Sequence, residues 1–139
     1  MRTPSPSESL AVHPLLVAFP LGMLGASVLF DAAALALVEP IFADVARYDQ
    51  GIGLVAAVIA SLIAVVDLAV TPRSAEMGRI AMERAIAQGA ALLLFGAALS
   101  LRTSAHAPLP SPGLLVLGAL GVVPAAIAGT LATRLAARA

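Results

Sequence analysis

The sequence predicts an all-α protein, a four-helix transmembrane bundle with antiparallel, up-down-up-down helices. Three observations predict it. Of the 139 residues, 60% are hydrophobic and only 12% are charged, and mean hydropathy is +1.01. A soluble domain is nearer half apolar and a quarter charged, so there is too little polar surface here to coat a water-soluble globule. Four segments reach or approach the roughly 20 apolar residues that cross a bilayer as a helix. None of them alternates with the period of two that a membrane barrel requires, and helices are then the structures that satisfy their own backbone in lipid.

The first span is read as Pro14 to Val38, broken only by Asp31. Proline at the first helical position costs no hydrogen bond and presets the helix angle, so Pro14 is read as the helix start and His13 as the residue just outside. The second span runs from Gly51 to Val70, with Asp67 near its end and "GIG" (Gly51 to Gly53) as an opening turn. The third runs from Ala85 to Leu101, short, with Gln88 near its start. The fourth runs from Gly113 to Thr133 without a charge. Pro20 and Pro124 fall within spans and predict kinks. Residues 1–13 read as a flexible polar head, 14–134 as one four-span domain and 135–139 as a short basic tail. The first span is long for a signal peptide and follows a single Arg, so it reads as a retained membrane helix.

The connections read as loops. "EPIFADVARYDQ" (Glu39 to Gln50) is acidic. "TPRSAEMGRIAMER" (Thr71 to Arg84) is Arg-rich, with room for a short amphipathic helix. "RTSAHAPLPSP" (Arg102 to Pro112) is proline-rich and irregular. The head, the second loop and the tail carry Arg2, Arg73, Arg79, Arg84, Arg134 and Arg138, against Arg47 and Arg102 on the other side. The positive-inside rule then places both termini in the cytoplasm.

Eight basic residues balance eight acidic ones, so no charged field points to nucleic acid. The chain has no Cys, which excludes disulfides and thiolate ligation of metals. Helices in lipid associate through close packing of small residues. Gly118, Gly121, Ala125 and Gly129 form such a stripe on the fourth span, with weaker pairs at Gly22/Ala26 and Gly96/Ser100.

Charged residues inside a span are candidates for function. Asp31 and Arg102 both fall at the outer ends of their spans and can pair. Asp67 falls on the side that carries His13, Arg73, Arg79 and Arg84, and can pair with one of them. His13 and Asp31 are about 27 Å apart along a helix and cannot form one site. Three readings of His13 stand: an interfacial cap or anchor, a site with Asp67 and Arg84, or a metal or haem ligand. The candidate functional or ion-pair cluster is therefore His13, Asp67, Arg84, Asp31 and Arg102.

The segment "HPLLVAFPLG" (His13 to Gly22), the acid Asp31 on the same span, Asp67 and Gly129 together resemble the bacterial membrane family called domain of unknown function 2231. The resemblance extends over Pro14 to Leu131. It implies a four-helix protein of the bacterial cytoplasmic membrane with no assigned activity, and an analogy to haem-carrying bundles. The chain departs from that analogy. Ala18, Arg84 and Gln88 stand where family members often carry a second or third histidine, and the fourth span ends "IAGTLATRLAARA". The two histidines, His13 and His106, fall on opposite sides of the predicted topology and cannot ligate one haem within a monomer. His13 with Met77 or Met82 leaves an axial His/Met pair open.

These readings rank an accessory or assembly subunit first, contacting lipid and other membrane subunits or copies of itself, with no cofactor. A haem-associated redox protein comes second. A small oligomeric transporter or channel comes third, because only Ser27, Ser61, Gln88 and Thr130 interrupt the apolar mid-spans. No serine–histidine–acid group at one depth, metal-binding histidine pair or phosphate-cradling loop points to an enzyme.

Overall fold

The computed structural model describes residues 6–70, 74–105 and 107–138, with the side chains at 6–17, 67, 136 and 138 outside the described set. The described chain forms four helices: α1 (Pro6–Leu37), α2 (Pro40–Val70), α3 (Ala75–Ala105) and α4 (Pro112–Arg138). Each contains a stretch long and apolar enough to cross a membrane. α1 packs chiefly on α2 and α3 chiefly on α4; these antiparallel hairpins join along α1–α4 and α2–α3.

The helices are longer than the sequence predicts. α1 begins at Pro6 rather than Pro14, so Pro14 lies within the helix and His13 belongs to it. The acidic stretch Glu39 to Gln50 is no loop: α2 takes it in from Pro40, and Gly51 to Gly53 lie inside that helix rather than in a turn. α3 starts at Ala75 and absorbs most of the Arg-rich stretch. α4 continues to Arg138, so most of the basic tail is helical. A 31-residue helix such as α2 measures about 46 Å at 1.5 Å per residue, against a hydrocarbon core of about 30 Å. Apolar length marks the membrane crossing; the helix itself runs on until a capping signal stops it.

Those signals are local. α1, α2 and α4 each begin with proline, which needs no N–H partner in the first turn. The Ser74 hydroxyl accepts the Met77 N–H at 3.4 Å, and the Ser111 hydroxyl accepts the Leu114 N–H at 3.2 Å, so each serine caps the helix that follows. α1 ends with Val38 in the left-handed region, φ 57°, and the Glu39 N–H reaching back to the Ala34 carbonyl at 3.2 Å. That is a Schellman ending with a β-branched residue at the position glycine favours. Phe30 and Phe42 stack across the resulting hairpin at a centroid distance of 6.3 Å.

Most buried helix positions repeat in alternating steps of three and four. They include Leu24, Ser27, Asp31 and Ala34 on α1; Ala46, Gln50, Gly53 and Ala57 on α2; Ala91, Phe95 and Ala98 on α3; and Leu114, Gly118, Gly121, Ala125 and Ala128 on α4. This 3.5-residue period is the pattern of left-handed bundles with shallow crossing angles. Most of these residues are small. The large apolar side chains point outward, as Leu29, Ile59, Leu62 and Leu93 do, which lipid tolerates at no cost.

Close approach follows from the small residues. A Cβ on Gly121 would sit 2.9 Å from the Phe95 ring, so α4 lies on α3 only because Gly121 has none. Gly118 meets Val28 and Gly129 meets Leu21, both on α1, while Ala125 is buried. The stripe read from the sequence is thus a contact surface to two helices. Gly53, read as part of a turn, packs against Met23 and Leu24 instead. Gly22 and Gly96 make no such approach among the described atoms.

Candidate functional site

Asp31 and Arg102 form an ion pair, Arg102 Nη2 donating to Asp31 Oδ2. Their side chains keep only 5% and 9% of their accessible surface. Nη1 of the same guanidinium donates to the Ala43 carbonyl at 3.1 Å. One side chain on α3 therefore ties together α1 and α2 at the end of the bundle that holds the α1–α2 link. Asp31 lies about 9 Å from the end of α1 at 1.5 Å per residue, while Arg102 starts nearer its helix end and reaches inward. Asp31 Oδ1 and Arg102 Nε have no hydrogen-bond partner among the described residues.

A second polar layer lies deeper. Gln50, fully enclosed, donates from Nε2 to the Phe95 carbonyl at 2.9 Å, joining α2 to α3. Ser27 is buried at the same level and returns its hydroxyl to the Leu24 carbonyl of its own helix at 2.7 Å. The sequence reading missed Gln50 because it placed the residue in a loop. The signal is that Gln50 falls in line with the small residues Ala43, Ala46, Gly53, Ala57 and Ala64 once α2 is carried back to Pro40.

Beyond the Phe95 layer, toward the α2–α3 link, the four helices line a partly open cavity of about 170 Å³. Its walls include Leu21 and Leu24 of α1, Ala57, Ala60, Ser61 and Ala64 of α2, Arg84, Gln88 and Gly89 of α3, and Ala125 and Gly129 of α4. Ala57, Ala60 and Ala64 of α2, Gly89 of α3 and Ala125 and Gly129 of α4 leave space there because their side chains are too short to meet across the axis. Ser61 donates to the Ala57 carbonyl of its own helix at 2.7 Å, so the polar wall is mainly that of α3.

The predicted cluster therefore separates into two places. Asp31 and Arg102 meet at one end; Arg84 lies on the cavity wall toward the other. The side chains of His13 and Asp67 lie outside the described residues, as does His106. Arg79 faces outward beside Glu83 of its own helix at 3.9 Å. Met82 is exposed and Met77 partly so. Among the described residues, no group of three or more His, Asp or Glu is arranged to hold a metal ion.

Compared with known proteins, the chain matches over residues 9–139 the sequence model of a family described as "Predicted membrane protein (DUF2231)". No curated protein matches it, and no solved structure does.

Proposed function

Because the chain belongs to the DUF2231 family of predicted membrane proteins, we propose that it is a non-catalytic accessory or assembly subunit of a bacterial cytoplasmic-membrane complex. One observation carries the reading. The Asp31–Arg102 charges are spent on each other and on the Ala43 carbonyl inside the bundle, which leaves the outer surface to make contacts. That surface is least covered on α2, where only 12% of the candidate span is buried within the protein. Its outward face carries Val55, Val58, Ile59, Leu62, Val65 and Val66. β-Branched side chains are stiff at χ1, so such a face loses little side-chain entropy when a neighbouring helix packs on it.

The proposal is tested by extracting native membranes in a mild detergent and separating complexes by native electrophoresis. A subunit runs in a larger assembly of fixed stoichiometry, and deletion of the chain lowers the amount of that assembly. Migration at the mass of the chain alone, or of a simple multiple of it, overturns the reading.

A further inference from the structure

The two polar layers near the α1–α2 link lie in one register. Gly53 of α2 packs on Leu24 of α1, so seven residues nearer the link Ala46 lies level with Asp31. The Gln50–Phe95 and Arg102–Ala43 bonds set α3 against α2 and bring Ala98 close to the same level. Gln50 is therefore one turn, about 6 Å, deeper in the bundle than Asp31. Side chains of a helix lean toward its own N-terminus. Asp31 on α1 and Arg102 on α3 thus lean away from the α1–α2 link, and Gln50 on α2 leans toward it. The three converge between the layers, where the buried neighbours Ala46, Ala98 and Gly118 carry at most a methyl group.

Each of the three brings an atom with no hydrogen-bond partner among the described residues: Asp31 Oδ1, Gln50 Oε1 and Arg102 Nε. None of these residues keeps more than 9% of its accessible surface. The Gln50 amide cannot exchange its ends, because only its N–H can bond the Phe95 carbonyl. Ser27, level with Gln50, gives its hydrogen to the Leu24 carbonyl and offers no donor. Nε–H and Nη2–H share one edge of the guanidinium fork, and Nη2 on that edge holds Asp31 Oδ2. Nε–H therefore lies on the side of the guanidinium that faces the Asp31 carboxylate.

The set is two acceptors and one donor. A cation would satisfy both oxygens, but it would leave Nε unbonded and press a second positive charge on the guanidinium. An anion would meet the carboxylate. A neutral molecule with two donors and one acceptor fits, and water is the smallest. A buried polar atom without a bond bears its full desolvation cost, and buried waters commonly make about three hydrogen bonds to such atoms.

We propose that one water molecule is bound between the two layers, accepting from Arg102 Nε–H and donating to Asp31 Oδ1 and Gln50 Oε1. It joins α1, α2 and α3 through a single oxygen and couples the ion pair to the Gln50 layer, a link that an accessory role does not require.

The test uses the full-length protein in detergent micelles, isotope-labelled at Arg and Gln, and reads magnetisation transfer from water to the side-chain N–H protons. Contact with a bound water gives a rotating-frame peak opposite in sign to the diagonal, which proton exchange does not. Such peaks are expected at Arg102 Hε and at the Gln50 amide, and a far weaker one at the exposed Arg79, where surface water leaves quickly. No peak at Arg102 Hε, the result of a direct Nε–Oδ1 bond, overturns the site. A peak at Arg102 without one at Gln50 overturns the bridge between the layers. Thermal melting reads the bridge independently. In the Asp31→Leu/Arg102→Met background the water has lost two of its three partners, so Gln50→Leu should lower the midpoint there by about half as much as in wild type, or less. An equal drop in both backgrounds overturns the coupling. The spectra are those of the wild-type protein and decide the site whether or not that background folds.

Discussion

Asp31 and Arg102 form a buried pair whose value differs from that of either member. Removing one partner of such a pair leaves an uncompensated charge and costs about 3–5 kcal/mol, whereas replacing both with apolar side chains is often neutral or stabilising. Asp31→Asn and Arg102→Gln should each lower the thermal midpoint of the purified protein, followed by circular dichroism. The double change Asp31→Leu/Arg102→Met should recover most of the loss. A double variant as unstable as the worse single would show that the charges do more than hold each other. Gln50 is a milder case. Its partner, the Phe95 carbonyl, lies inside α3 and keeps its own helical N–H donor. Interhelical hydrogen bonds in membranes average only about 0.6 kcal/mol, so Gln50→Leu should cost less than about 1 kcal/mol in the same melt. The Asp31–Arg102 pair was legible in the sequence, because two opposite charges at one end of neighbouring spans have few other partners. Gln50 was not, since its burial depends on where its helix begins.

Helix elements carry their strain and their close contacts at identifiable positions. Val38 holds the left-handed conformation that ends α1, at a cost of roughly 1–2 kcal/mol for an L-residue. Glycine there relieves the strain but loses more entropy on folding, roughly 0.5–1 kcal/mol. Val38→Gly should therefore stabilise the protein by about 0.5–1 kcal/mol, read as a raised midpoint; a lowered one would show that Val38 makes contacts that outweigh its backbone. Gly121 and Gly22 give a matched pair. Alanine at Gly121 forces a Cβ to within 2.9 Å of a fully enclosed ring and should cost about 1–3 kcal/mol, as overpacking does. Alanine at Gly22 meets nothing within 4 Å and should be neutral or gain up to about 1 kcal/mol through helix propensity. The α4 stripe could be read from sequence because its glycines repeat within an uninterrupted apolar run. Gly22 looked similar and is not a contact, because spacing does not say which face of a helix has a neighbour.

For the whole molecule, the arginine distribution predicts an orientation that can be measured directly. The chain has no Cys, so Ser74→Cys before α3 and Ser111→Cys before α4 each introduce a unique thiol at an exposed position. In intact cells, an impermeant maleimide should label the cysteine placed at Ser111 and reach the one placed at Ser74 only after the membrane is opened. The reverse pattern would invert the bundle, and equal labelling of both would break the alternation of its helices.

Composition and apolar run length determined, from the sequence alone, that this chain is helical, that it has four segments long and apolar enough to cross a membrane and that Asp31 and Arg102 can meet. These properties are local, or follow from lipid offering no partner to backbone or charge. Only the tertiary structure decided that Gly121 faces Phe95, that Gln50 reaches across from α2 to α3, and that Arg84 and Gln88 line one cavity. Those depend on the rotation of each helix about its axis. In lipid that rotation is set by which small residues let two backbones approach, and an Ala- and Gly-rich chain offers several faces that only packing can choose between.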